Sequence, residues 1–151
     1  MAANKFLARD LTFEVRTAVG PDVWTEVKGL DSLTHSPSTE RADTTGFDEN
    51  GRASHILAQR GDTWELAGKA LLDVAAVGEG KDPGQLAMEV LGRAIGTAAE
   101  GRFRVTDPAG NKLEMSGTVE ITMPGGGTND AASWGASIEV TGAPTFTASV
   151  A

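Results

Sequence analysis

Residues 101–141 read GRFRVTDPAGNKLEMSGTVEITMPGGGTNDAASWGASIEVT. Side chains of a strand point alternately to opposite faces, so a half-buried strand shows a period of two. Phe103 and Val105 alternate with Arg102, Arg104 and Thr106. Leu113, Met115, Val119, Ile121 and Met123 share one parity, and Lys112, Glu114, Ser116, Thr118, Glu120 and Thr122 share the other. Trp134, Ala136, Ile138 and Val140 repeat the pattern. This predicts a three-stranded antiparallel meander. A register that pairs Leu113 with Val105 also sets Glu114 opposite Arg104, so both faces agree. Pro108 and Gly110 supply the first turn, and the glycine-rich PGGGTND predicts a mobile second connection.

Working outward, Leu11, Phe13 and Val15 alternate with Thr12, Glu14 and Arg16 in a first strand. A second runs over residues 23–28, with Trp24 and Glu26 opposite in parity to Thr25 and Val27, and is expected to continue through Leu30 and Leu33. Residues 35–53, HSPSTERADTTGFDENGRA, hold one large apolar residue, Phe47. They are expected to form a long inter-strand loop. Such a loop inside a domain is either a surface excursion or a segment with a task. Here the second option is an arm that orders against another subunit, anchored by Phe47. Strand signals resume at residues 54–59, Arg60-Gly61-Asp62 reads as a turn, and Trp64, Leu66, Ala70 and Leu72 share one parity. Gly68 marks a bulge or a close approach.

A helix is expected over residues 83–100. Asp82 is placed at N-cap, Pro83 at the first helical position and Gln85 at the far side of a variant capping box, with Gly101 just past the end. Leu86, Val90, Leu91, Ala94, Ile95 and Ala98 form the apolar stripe. Gly92 and Gly96 imply close packing on a sheet. The fold class is therefore mainly β: an antiparallel β-sandwich or barrel with one α-helix packed on the outside, in a single domain over residues 1–151 with terminal arms at 1–9 and 142–151.

Composition excludes much. The chain has 151 residues, no cysteine, no tyrosine and a net charge of −8. Disulfides and thiolate metal sites are out, and an acidic chain is a poor phosphate binder. The segment after Met1 lacks the apolar core of a signal peptide, and no run approaches membrane-spanning length. His35 and His55 match no metal motif. Asp48, Asn50 and Gly51 echo a calcium loop without its later ligands. Gly78, Gly80 and Gly84 lack the strand lead-in of a phosphate loop. No serine has a credible base partner. Neither catalysis nor any cofactor is expected. A β-sandwich binding module, for carbohydrate or adhesion, needs an exposed aromatic cluster; Trp64 and Trp134 read as core, leaving Trp24.

The order strand, strand, long Thr/Asp/Gly segment running into ADTTGFDENGRASHILAQRGDTWELAGKALL, capped helix, meander and short arm resembles the tail tube proteins (major tail proteins) of long-tailed bacteriophages. Contractile-tail and type VI secretion tube proteins share that fold. The resemblance implies homo-oligomeric rings, usually hexameric, stacked into a hollow virion tail tube through which DNA passes without tight binding. It implies no enzyme activity and no membrane. Further implied partners are tape-measure, tail-terminator and baseplate or tip proteins, with synthesis in the host bacterial cytoplasm. Residues 36–52 would bridge rings, with Thr39, Arg41, Asp43, Phe47, Asp48 and Arg52 as candidates. Thr118, Glu120, Thr122 and Glu139 are candidates for the channel wall; Arg102, Arg104 and Lys112 share those faces, and pairing with Glu114 and other acids would neutralise them. An ordinary solvated sheet face is the alternative.

Overall fold

The computed structural model describes residues 4–47, 50–72 and 81–149. Seven strands are present among them: β1 (Thr12–Ala18), β2 (Val23–Glu26), β3 (Leu30–Asp43), β4 (His55–Lys69), β5 (Gly101–Thr106), β6 (Lys112–Gly125) and β7 (Ser133–Thr147), with one α-helix, α1 (Pro83–Arg93). All strand pairs are antiparallel, in one sheet of order β2-β1-β5-β6-β7-β4-β3. The mainly β class with a single helix holds, and the meander β5-β6-β7 has the expected register, Val105 opposite Leu113 and Arg104 opposite Glu114. The sheet does not close on itself.

The connection between β2 and β3 shapes the whole. These strands lie at opposite edges of the sheet, yet only residues 27–29 separate them. Four Cα steps span at most about 15 Å, so the sheet must roll until its two edges nearly meet. Expecting one strand from Val23 through Leu33 was therefore incorrect. Gly29, at φ +81°, breaks it. The Gly29 carbonyl accepts from Lys69 N–H at 2.8 Å, and a Cβ on Gly68 would overlap that carbonyl. Gly68 is thus the close approach anticipated from sequence.

Inside the roll lie Phe13, Val15, Phe103, Met115, Trp134, Ala136, Ile138 and Leu66, all buried. Phe13 and Phe103 stack with centroids 6.0 Å apart. Burial of each large side chain contributes about 1.5–3 kcal/mol.

The helix spans the near-meeting edges. Asp82 is its N-cap and accepts from Gln85 N–H at 3.2 Å. The return half of the capping box is not made, because the Gln85 side chain has another task. Its Nε2 donates to the carbonyls of Lys28 and Lys69, both at 2.9 Å, and its Oε1 accepts from Leu71 N–H at 3.1 Å. One buried amide therefore staples the β2–β3 crossing, the end of β4 and the helix. Gly84 allows the contact, since a Cβ there would overlap the Glu26 carbonyl.

The helix is shorter than expected and faces differently. It ends at Arg93, with Ala94 extended and a 3-10 turn at Gly96–Ala99, so Gly101 opens β5 instead of capping α1. Gly84, Gln85, Met88 and Glu89 are its buried residues, Leu91 packs against the core and Gly92 meets Ile121. Leu86, Val90 and Ile95 are exposed. Buried Glu89 is held by Lys81 at 2.6 Å. Close glycine contacts and satisfied polar groups, more than the count of apolar residues, chose the docking side.

Three further boundaries differ. The expected loop at 35–53 is strand over its first part: β3 runs to Asp43, and β4 starts at His55. The Arg60-Gly61-Asp62 turn is absent, and Gly61 sits in the ladder opposite Ser38. In the expected C-terminal arm, β7 continues to Thr147 and pairs with the start of β6. The second connection is tied, with Gly127 N–H donating to Asp130 Oδ2 at 3.0 Å.

Replacing Gln85 by Met preserves bulk and strands three part-buried backbone groups. We expect a loss of about 2–3 kcal/mol, read as a lower urea midpoint at unchanged m value; a change under about 0.5 kcal/mol would show that Gln85 does not fasten the seam.

Candidate functional site

The outer, polar face of the sheet divides into two halves. On the β1–β5 side the cations are consumed locally. Arg104 grips Glu14 bidentately, Nη2 to Oε2 at 2.8 Å and Nε to Oε1 at 3.2 Å. Its guanidinium lies 4.4 Å from the centroid of the Trp24 ring, a cation–π contact. Arg102 donates to Glu114 at 3.2 Å and to Ser116 at 3.3 Å. The neutralisation anticipated from sequence is made for Arg102 and Arg104 but not for Lys112, which has no acid within ion-pair distance among the described residues; Arg104 stands opposite Glu114 in register but bonds Glu14 on its other side.

On the β6–β7–β4 side the register builds polar rows across three strands. Thr118, Glu139 and Thr63 form one; Glu120, Ser137 and Glu65 the next; Thr122, Gly135 and Ala67 a third. All four channel candidates, Thr118, Glu120, Thr122 and Glu139, are exposed on this shared surface. Among the described residues no cation lies within ion-pair distance of Glu65, Glu120 or Glu139. Sequence reasoning missed Thr63, Glu65 and Ser137 as members of the rows. Their parity opposite Trp64, Leu66 and Ile138 was the available signal.

The second feature is a projecting hairpin. β4 pairs with β7 only from Thr63 to Lys69, so residues 55–62 pair with β3 alone. The distal part of β3 and β4 is a two-stranded ribbon with both outer edges open. At its root His35 lies 2.6 Å from Asp62 and 4.8 Å, centroid to centroid, from Trp64. The tip is clamped by Asp43, already a candidate from sequence, and by Thr44, Thr45 and Ser54, which sequence reasoning passed over. Thr44 N–H donates to the Ser54 carbonyl at 2.9 Å, Ser54 N–H to Thr45 Oγ1 at 2.8 Å, and Thr45 N–H to Asp43 Oδ1 at 2.9 Å. The DTT triplet, an Asx-turn pattern, was the signal for it.

Of the stacking candidates, Thr39 accepts from Arg41 at 3.4 Å within the ribbon, Asp43 closes the tip, and Arg52 is exposed in the loop. Phe47 stands wholly in solvent, with 110% relative exposure. Asp48 lies outside the described residues.

No group of three metal-ligating side chains occurs among the described residues. Trp134 is buried, Trp64 is covered by His35 and Trp24 by Arg104, so the three tryptophans form no joint platform.

No protein-family model and no curated protein sequence matches the chain. Solved structures do. The tail of an empty gene transfer agent particle, refined helically with C6 symmetry, superposes with a TM-score of 0.65 at 21% identity, covering 95% of this chain and 100% of that one. The tail tube of SPP1 gives a TM-score of 0.67 at 13% identity over 97% of this chain and 81% of that one. A chain from the six-fold symmetrised baseplate of the anti-feeding prophage gives 0.58 at 10% identity, covering 97% of each. The chain has the tail tube protein fold.

Two turn carboxylates make the tip and the β5–β6 turn acid-sensitive. Hydrogen bonding from Thr45, side chain first and then amide, holds Asp43 below its ordinary value. Asn111 does the same for Asp107, chiefly through its side chain. A carboxyl depressed in the folded state contributes stability above its unfolded pKa, about 3.9, that is lost as pH falls through the folded value. Amide signals of Thr45 and Asn111 should therefore hold steady from neutral pH down to about 4 and shift below it. Asp43→Asn should remove the acid transition at Thr45 and leave that at Asn111.

Proposed function

We propose that this chain is a structural subunit of a phage-like tail tube. Copies form rings, hexameric by analogy with the C6 tail, and rings stack into a hollow tube that conducts DNA at ejection. The observation that carries the proposal is the end-to-end match to the gene transfer agent tail chain, 95% of one and 100% of the other. The physical chemistry supports it. Open strand edges on a folded subunit are a liability that pairing between copies removes. The rows holding Thr118, Glu120, Thr122 and Glu139 line the channel in this reading, where unpaired acids and hydroxyls repel or ignore phosphates.

The ribbon and its tip, with Thr39, Arg41, Asp43, Phe47, Asp48 and Arg52, reach the adjacent ring. The segments at 1–9 and 142–151 make further contacts between copies. Tape-measure, tail-terminator and baseplate proteins are the remaining partners. The protein is made in the host bacterial cytoplasm and resides in the virion tail, where it has no catalytic role.

Negative-stain microscopy of concentrated protein, with and without a nucleating tail-tip complex, is expected to show rings and stacked tubes. Replacing residues 39–60 by Asn-Gly keeps Ser38 and Gly61 in register across a two-residue turn. That chain should melt cooperatively and form no stacks; long tubes from it would refute the bridging role. Tubes carrying Glu120→Lys and Glu139→Lys should retain DNA with a steep salt dependence. Equal DNA retention by the unaltered tube would remove these rows from the channel wall.

A further inference from the structure

A cleft of about 230 Å³ opens between the N-terminal segment and the start of β3. Leu11, Phe13, Val27, Leu30 and Leu33 line it, together with the charged residues Arg9, Glu26, Lys28 and Asp31. We propose that the Phe47 ring of one copy seats in this cleft on the next copy. This rests on the tube reading above and supplies the receptor for its hairpin.

Size fits first: an apolar cavity of about 150 Å³ suffices to hold benzene. Phe47 is an apolar ring with no contact surface of its own, wholly exposed. The Thr44, Thr45 and Ser54 hydrogen bonds close the strands at the base of the loop that carries it. A knob on a loop with a closed base loses less entropy on docking than one on a free chain end.

The charged residues lining the cleft are mixed in sign, Arg9 and Lys28 with Glu26 and Asp31, so the apolar ring and not charge is what this receptor would select.

Topology names the partner. The cleft sits at the start of β3 and the knob just beyond its end. From Leu33 to Asp43 an extended strand covers roughly 33 Å, so Phe47 cannot reach its own cleft. A knob and a hole at opposite ends of one element make a head-to-tail contact, which propagates as a stack. The exposed apolar residues Leu86 and Val90 on α1, with Ile95 just beyond its end, are the rival receptor, but they offer no hole for a single ring.

The chain has no cysteine, so introduced pairs report cleanly. Full-length protein with Gly46→Cys and Ala8→Cys, assembled and then mildly oxidised, should give a ladder of covalent multimers on a non-reducing gel. The pair Gly46→Cys and Val90→Cys should not. In parallel, Phe47→Ala should raise the concentration needed for assembly by roughly tenfold or more, Phe47→Leu should restore most of it, and both monomers should melt like the parent. A ladder from the Val90 pair alone, or tubes with no ladder from either, overturns the cleft while leaving the tube. Failure of the unaltered chain to assemble under any condition sinks both readings together.

Discussion

The short crossing from β2 to β3 is the constraint on which the rest depends. Because residues 27–29 must connect opposite edges of a seven-stranded sheet, the sheet rolls, and rolling gives it an inside. The apolar parity of every central strand is then buried against itself, with Met88 of α1 in the remaining gap. The seam still has backbone groups to satisfy, and a buried unpaired carbonyl or amide is costly. Gln85 meets that need with three hydrogen bonds, and Gly29, Gly68 and Gly84 let the backbones come close enough to make them. A helix residue thereby decides the geometry of two strands it does not belong to.

Rolling the sheet inward turns the polar parity outward, and there the charges sort themselves. Arg102 and Arg104 are bound within the β1–β5–β6 side, where Trp24 adds a second hold on Arg104. The side chains of Arg104 and Glu14 are only 15% and 16% exposed, so this pair is partly withdrawn from solvent and less screened than a surface pair. Over β6, β7 and β4 the acids Glu65, Glu120 and Glu139 stay outside any ion pair among the described residues, as does the cation Lys112 at the start of β6. That distribution arises from pairing on the opposite side as much as from the acids themselves.

The hairpin obeys different energetics. Its distal ribbon buries little, and two strands alone are marginal in water. Hydrogen bonds at the tip and the His35–Asp62–Trp64 contacts at the root hold it at both ends. Between them its outer edges are open. This is why residues 35–53 read as a loop: without burial there is no alternation to detect. The strand is written in ladder partners such as Thr39 with Arg60 and Glu40 with Gln59, a long-range pairing that leaves no periodic trace.

The linear chain determined whatever rests on local periodicity and turn chemistry. The meander from Phe103 to Val140, its register, the Asp82-Pro83 start of the helix and the close approach at Gly68 all follow from alternation, capping and glycine placement. It also determined the residue types of the polar rows, though not their alignment. Only the tertiary structure decided which edge each of β2 and β3 occupies, which side of α1 is buried, and which acid holds Arg104. Those outcomes depend on contacts between residues far apart in sequence: a carbonyl at Gly29 against Gly68, an amide at Gln85 reaching Lys28 and Lys69, a carboxylate at Glu14 reaching across to β5. Alternation states which face a side chain takes; only the closed seam states what it meets there.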